Sequence, residues 1–293
     1  MKKLVCAILA LCLTLCLFAS CESGTGEADA LETILKNYKK TGLSSWWEVV
    51  AIYNAGENPT KYKGFSELCL SLEGTTNLKM ASYVIVAELA LASGASPADF
   101  DKYDTYRENL RKLLEEPLDS YTLNDYIFAY YALKCSGTEF DEGPAAEYMQ
   151  KAQKPDGGFS LSGDLGDSDM TAFAVPVLKL MGLGQSLEDA VAFLEENINE
   201  NGTFSSYGSE NANSTACALS AFICYGYDGE IKDRATEGLE LFRGEEGTGY
   251  AFLVGGRADA LATAQAAIAL GDLKNTSSVW ERLYEYSSKS TSQ

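Results

Sequence analysis

The stretch "TACALSAFICYG", Thr215 to Gly226, carries no charge and ends in glycine. It is too long and too evenly apolar for an amphipathic surface segment, so it reads as a helix buried all round. Its last residue suits the left-handed conformation that closes a helix. Five further segments have the same design: "WWEVVAIYNAG" to Gly56, "YVIVAELALASG" to Gly94, "YIFAYYALKCSG" to Gly137, "TAFAVPVLKLMG" to Gly182 and "TAQAAIALG" to Gly271. The glycines follow one another at 38, 43, 45, 44 and 45 residues. Apolar segments at so constant a pitch indicate stacked repeats.

A second kind of segment alternates with them. In "SLEDAVAFLEENI", Leu187, Ala190, Val191, Leu194 and Ile198 form one stripe and acids cover the opposite face. Ser186 and Asp189 fit a capping box. Such a helix buries one side only. Similar outer segments surround Leu31–Tyr38, Tyr62–Leu72, Tyr106–Leu114, Ala145–Ala152 and "EIKDRATEGLELF", and "SSVWERLYEYSS" predicts a last amphipathic helix. No strong strand alternation is present. The pattern predicts an all-α fold, an α6/α6 toroid of six outer–inner helical hairpins plus a C-terminal helix. Inner helices of about 15 residues would run for roughly 22 Å. They would lie parallel, end near the six glycines and gather their N-termini at one mouth. Pro176 is expected inside an inner helix.

The hairpin turns repeat as well. "QKPDGGF" ends at Phe159, "INENGTF" at Phe204 and "GEEGTGY" at Tyr250. Gln153, Gly157 and Phe159 match the Q-x-x-x-G-x-W/F pattern of terpene-cyclase and prenyltransferase repeats. With "DSDMTAFAV", "LNDYIFAYYAL", "DGGFSLSG" and "NANSTACALSA", the chain resembles the prenyltransferase/squalene-cyclase-like α/α-toroid proteins over about residues 30–287. It looks closest to their bacterial surface-lipoprotein branch, which is related to the helical domain of the cobalamin carriers intrinsic factor and transcobalamin. The small β domain that often follows in that branch is not found here, so cobalamin is not the expected ligand.

The chain opens "MKKLVCAILALCLTLCLFASC", a basic start and an apolar run that suit a secretory signal better than a membrane span. Phe18-Ala19-Ser20-Cys21 resembles a bacterial lipobox, with Phe18 where Leu or Val is usual. The resemblance implies lipidation at Cys21, attachment to the membrane through that lipid and an extracytoplasmic position. The expected organisation is a signal peptide over 1–20, a polar tether over 21–30 and one toroid domain over 31–293. The chain has 42 acidic residues against 23 Lys and Arg, a net charge of −19. That balance argues against nucleic acid as a partner, because binding it needs basic patches. Cys69, Cys135, Cys217 and Cys224 sit in apolar helical contexts and read as small buried hydrophobes, a Cys69–Cys135 disulfide being compatible with the spacing.

Chemistry is constrained by an absence. The chain has no histidine, which excludes a Ser-His-Asp triad and any His-ligated metal site. Asp164, Asp167 and Asp169 cluster as carboxylates do around calcium, but the spacing is not that of an EF-hand loop. Neither a metal nor a cofactor is expected. In squalene cyclases the motif D-x-D-D-T-A supplies the proton that starts cyclisation. Here it reads Asp167-Ser168-Asp169-Met170-Thr171-Ala172, with Met170 in place of the partner carboxylate. Asp169 is therefore read as a helix cap, with the catalytic acid as the alternative. Such cyclases also usually carry a second helical domain. The mouth is expected to collect Trp46, Trp47, Asn124, Tyr126, Asp167, Asp169, Thr171, Tyr207, Asn211, Asn213, Arg257 and Asp259. Aromatics with amides and a few charges suit a small-molecule, glycan or peptide ligand. The expectation is a non-catalytic, surface-anchored binding protein; a terpene-cyclase-like enzyme and a protein-interaction scaffold are the alternatives.

Overall fold

The computed structural model describes residues 23–283, apart from 117, 119, 207 and 228. Two helix types alternate along it. The inner set is α2 (Trp46–Asn54), α4 (Asn77–Ala92), α6 (Leu123–Cys135), α8 (Ser168–Leu180), α10 (Ala212–Tyr225) and α12 (Ala260–Asn275). The outer set is α1 (Ser23–Thr41), α3 (Phe65–Ser71), α5 (Tyr103–Glu115), α7 (Gly143–Ala152), α9 (Gly184–Glu196) and α11 (Glu230–Glu240). Each inner helix packs on the next, and α12 packs back on α2, so the six close into a ring. Strand structure among the described residues is confined to β1 (Ser205–Ser206) and β2 (Ser209–Glu210), one small hairpin, and isolated bridges in the turns.

The buried inner helices follow from composition. Almost every side chain of α10 is buried, whereas α5 buries Tyr106, Leu110, Leu113 and Leu114 on one side. Gly56, Gly94, Gly137, Gly182 and Gly226 follow the ends of α2, α4, α6, α8 and α10 in the left-handed conformation, as the repeat predicts. Pro176 lies inside α8.

Gly271 is different. It stands inside α12, which runs on to Asn275 and is closed by Thr276 at φ 52°. A Cβ on Gly271 would lie 2.5 Å from Asn54 Nδ2. This glycine permits the close approach that shuts the ring. Asn54 Nδ2 donates to Ile268 O and to Asp272 Oδ1, both at 2.8 Å, and Asn275 Nδ2 donates to Asn54 O at 2.8 Å.

Two further observations concern the termini. Helix begins at Ser23, inside the stretch read as a tether. The start of α1 lies at the turn after α11, where Arg243 Nη2 donates to Gly26 O, and its end lies at the turn after α2, where Lys39 pairs with Glu57 at 2.7 Å. These long-range contacts hold residues that their small, polar composition left undetermined. At the other end, residues 279–283 are helical up to the last described residue, as the expected amphipathic C-terminal helix requires, and they bury Val279, Trp280 and Leu283. Trp280 is 4% exposed and stacks on Tyr131 at 4.6 Å, with Trp46, Trp47 and Phe128 edge-on. Val279 N donates to Asp272 Oδ1 and fixes the start of this helix on the closure residues.

Candidate ligand site at the toroid mouth

Three turns of the repeat share one construction. The backbone N–H of Phe159, Phe204 and Tyr250 donates to the hydroxyl of Thr171, Thr215 and Thr263, at 2.8, 2.9 and 2.9 Å. The carbonyls of the same aromatics accept from the N–H of Asp167, Asn211 and Asp259. Those three residues are the N-caps of α8, α10 and α12, accepting from Met170, Ser214 and Ala262 N–H at 2.9 Å each. Each cap is thus placed by a turn from the preceding outer helix and a threonine four residues on.

This placement corrects the reading of Asp169. The cap is Asp167, and Asp169 lies in the first turn of α8. Asp167, Ser168 and Asp169 are all good caps in isolation, and the bridge to Phe159 chooses among them. α10 likewise starts from Asn211, not from Asn213 or Ser214.

Freed from capping, Asp169 faces a pocket of 250 Å³. Its walls come from the starts of four inner helices: Trp46 and Trp47 of α2, Leu78 of α4, Asn124 and Phe128 of α6, and Asp169, Met170 and Phe173 of α8, with Leu161 and Asp167 from the preceding turn. Trp46 and Trp47 stack at 4.1 Å, and Trp47, Phe128 and Phe173 lie 5.5–5.7 Å apart. The pocket is just below the ~300–1,000 Å³ usual for small-molecule sites. Asp169 Oδ1 is buried without a hydrogen-bond partner. Burial raises the Asp169 carboxyl above the ordinary aspartate range; the Ser214 and Ser206 hydroxyls beside it oppose that shift, and Asp167 adds to it. Burial raises Asp167 too, against the backbone N–H groups it caps.

Of the expected mouth residues, Trp46, Trp47, Asn124, Asp167 and Asp169 come together here. The others do not. Tyr126 is buried on the far side of α6, stacked on Tyr148 at 3.6 Å. Thr171 and Asn211 are buried in the turn construction described above. Asn213 and Asp259 lie outside the pocket lining, Asp259 as an exposed cap. Arg257 is exposed, 4.0 Å from Glu246. Tyr207 and Cys21 lie outside the described residues.

Phe128 and Phe173 were missed although a signal was present. Each stands four residues after an expected mouth residue, Asn124 or Asp169, and therefore on the same helix face. Trp280 had no such signal. Beside the pocket, a second cavity in the bore is lined by Trp47, Phe173, Pro176 and Trp280 and measures 20 Å³, room for about one water. Among the described residues no three His, Cys, Asp or Glu side chains gather as a metal would require, so Asp164, Asp167 and Asp169 make no calcium site. All four cysteines described are free, Cys69 and Cys135 included.

No family model and no curated protein matches this chain. Solved structures do. A point variant of the type II terpene cyclase MstE from Scytonema, in complex with its substrate geranylgeranyl dihydroxybenzoate, aligns at TM-score 0.56 and 12% identity. A second variant, with the product merosterolic acid A, aligns at TM-score 0.54 and 11% identity. Both alignments cover 86% of this chain and 97% of that one. The fold is a terpenoid-cyclase-like α/α toroid. At this identity the likeness establishes architecture alone.

Proposed function

We propose that the chain is a surface-anchored binding protein whose toroid mouth takes a small, largely apolar ligand. Trp46, Trp47, Phe128 and Phe173 supply apolar contact, and Asn124 and Asp169 address a polar group on the ligand. Lipid on Cys21 tethers the domain outside the cytoplasmic membrane, as the lipobox resemblance implies; no helix among the described residues is long and apolar enough to cross a bilayer. The observation that carries the reading is the pair of cavities. A fragment-sized pocket opens at the mouth, and the bore beside it is filled by Trp280 to 20 Å³. Cyclising a polyprenyl chain requires an enclosed apolar cavity large enough to fold that chain, which this filling opposes. The testing experiment is a thermal-shift screen of the mature domain against isoprenoids, muropeptides, oligosaccharides and small amines. A hit should lose its shift in Trp47→Ala; hits unaffected by that change would place binding elsewhere.

The second reading is acid-initiated isoprenoid chemistry. One observation favours it: Asp169 is not a cap, its carboxyl is held above the ordinary range, and it faces aromatic rings. A general acid needs such a raised pKa. Met170 in place of a second carboxylate counts against it. A scaffold role has less support. Apart from isolated side chains such as Leu70, the large exposed apolar residues cluster in mouth-side turns, as Phe252, Leu253 and Val254 do, and not along an outer helix.

A further inference from the structure

The mouth pocket joins two chemistries that select the same ligand charge. Its aromatic wall is built from Trp47, Phe128 and Phe173, whose ring faces attract cations through their quadrupoles. Its polar groups are the carboxylates of Asp167 and Asp169 and the amide of Asn124, and neither Lys nor Arg lines it. An anionic ligand would meet two carboxylates with no cation to offset them. A neutral ligand would leave those carboxylates close together against apolar walls, with no charge to offset them. A metal ion would find too few oxygens, since hard cations take six or more. The field of a chain with net charge −19 favours cations over anions around the protein.

We infer that the ligand of the mouth pocket is an organic ammonium ion, its charged head seated over Trp47, Phe128 and Phe173 and facing Asp169. This rests on the binding reading above and narrows it to one chemical class. An ammonium is soft enough to stack on aromatic faces, and a bulky substituted head fills a pocket of 250 Å³ as a bare cation does not. Where the head carries N–H groups, one would donate to the Asp169 carboxylate. Burial raises the Asp169 carboxyl above its ordinary range, and a cation bound beside it would act in the opposite direction.

The test compares choline with 3,3-dimethylbutanol, its neutral isostere, by tryptophan fluorescence and calorimetric titration of the wild-type domain. The expected result is saturable choline binding, at least about tenfold tighter than binding of the isostere. Asp169→Asn and Trp47→Leu should each weaken choline binding by about fivefold or more, with the melting temperature confirming that each variant is folded. Equal or tighter binding of the isostere overturns the ammonium inference and leaves the binding reading standing. Absence of choline binding by the wild type overturns it as well. The broader screen then decides the binding reading separately, because a neutral hit lost in Trp47→Ala would keep the pocket and discard only its charge preference. The comparison within the wild type holds even where a variant fails to fold.

Discussion

Asn54 and Asp272, separated by 218 positions, share a 2.8 Å hydrogen bond that locks the last inner helix onto the first. Asp272 is fully buried and accepts also from Val279 N, while Arg282 stands 3.7 Å away. Ring closure and the start of the C-terminal helix thus meet on one carboxylate. Burial pushes Asp272 up to about 7, only partly offset by Asn54 and Val279. In the unfolded chain the group titrates near its ordinary 3.8. Between those values the folded state holds more protons, so stability should fall as pH rises from about 4 to about 7. Glu88, raised by burial to about 7, acts in the same direction. Chemical denaturation at pH 5 and pH 8 should show greater stability at pH 5, and Asp272→Asn should flatten part of that difference.

The N-cap assignment separates two neighbouring aspartates. Asp167→Ala should cost about 0.5–2 kcal/mol and Asp167→Asn much less, because Asn caps about as well as Asp. Asp169→Asn should leave stability unchanged or raise it, since it removes a partly desolvated carboxylate that caps nothing. Melting temperatures of the three variants and of Asp169→Ala check this. A loss of about 0.5–2 kcal/mol in Asp169→Ala, with none in Asp167→Ala, would return the cap to Asp169.

The threonine of each turn satisfies a buried backbone N–H. Thr215→Val keeps the shape and removes the acceptor for Phe204 N. It should cost about 1–3 kcal/mol, and urea titration of the variant measures it. Thr171→Val and Thr263→Val should cost similar amounts if the three turns are equivalent.

Trp280 fills the bore. Trp280→Ala should cost about 3–5 kcal/mol, as large-to-small core changes do. It should also enlarge the cavity beside Trp47 and Phe173, so longer apolar ligands should bind the variant more tightly than the wild type. Thermal-shift titration with isoprenols of increasing length reads both effects.

The repeat was legible because a buried helix and its closing glycine leave a pattern at each of six positions. Gly271 broke that pattern visibly only in space, where Asn54 comes against it. The caps were legible as a class and not as residues. Asp167, Ser168 and Asp169 have near-equal local propensity, and the bond from Asp167 N to Phe159 O decides between them. Trp46, Trp47 and Asn124 could be placed at the mouth because they open their helices. Tyr126 could not, since its helix turns it toward Tyr148. The apolar stripe of Val279, Trp280 and Leu283 could be read from an amphipathic helix, whereas the place of Trp280 in the bore depends on Asp272 accepting from Val279, which periodicity does not encode.

The central claim is that the mouth around Asp169 holds a ligand without transforming it. The most direct measurement is incubation of the purified mature chain with squalene and with geranylgeranyl and farnesyl substrates, beside Asp169→Asn, followed by mass spectrometry and chromatography. The account expects every substrate to be returned unchanged by both proteins. A cyclised product from the wild type, absent with Asp169→Asn, would contradict it and assign Asp169 as the proton donor.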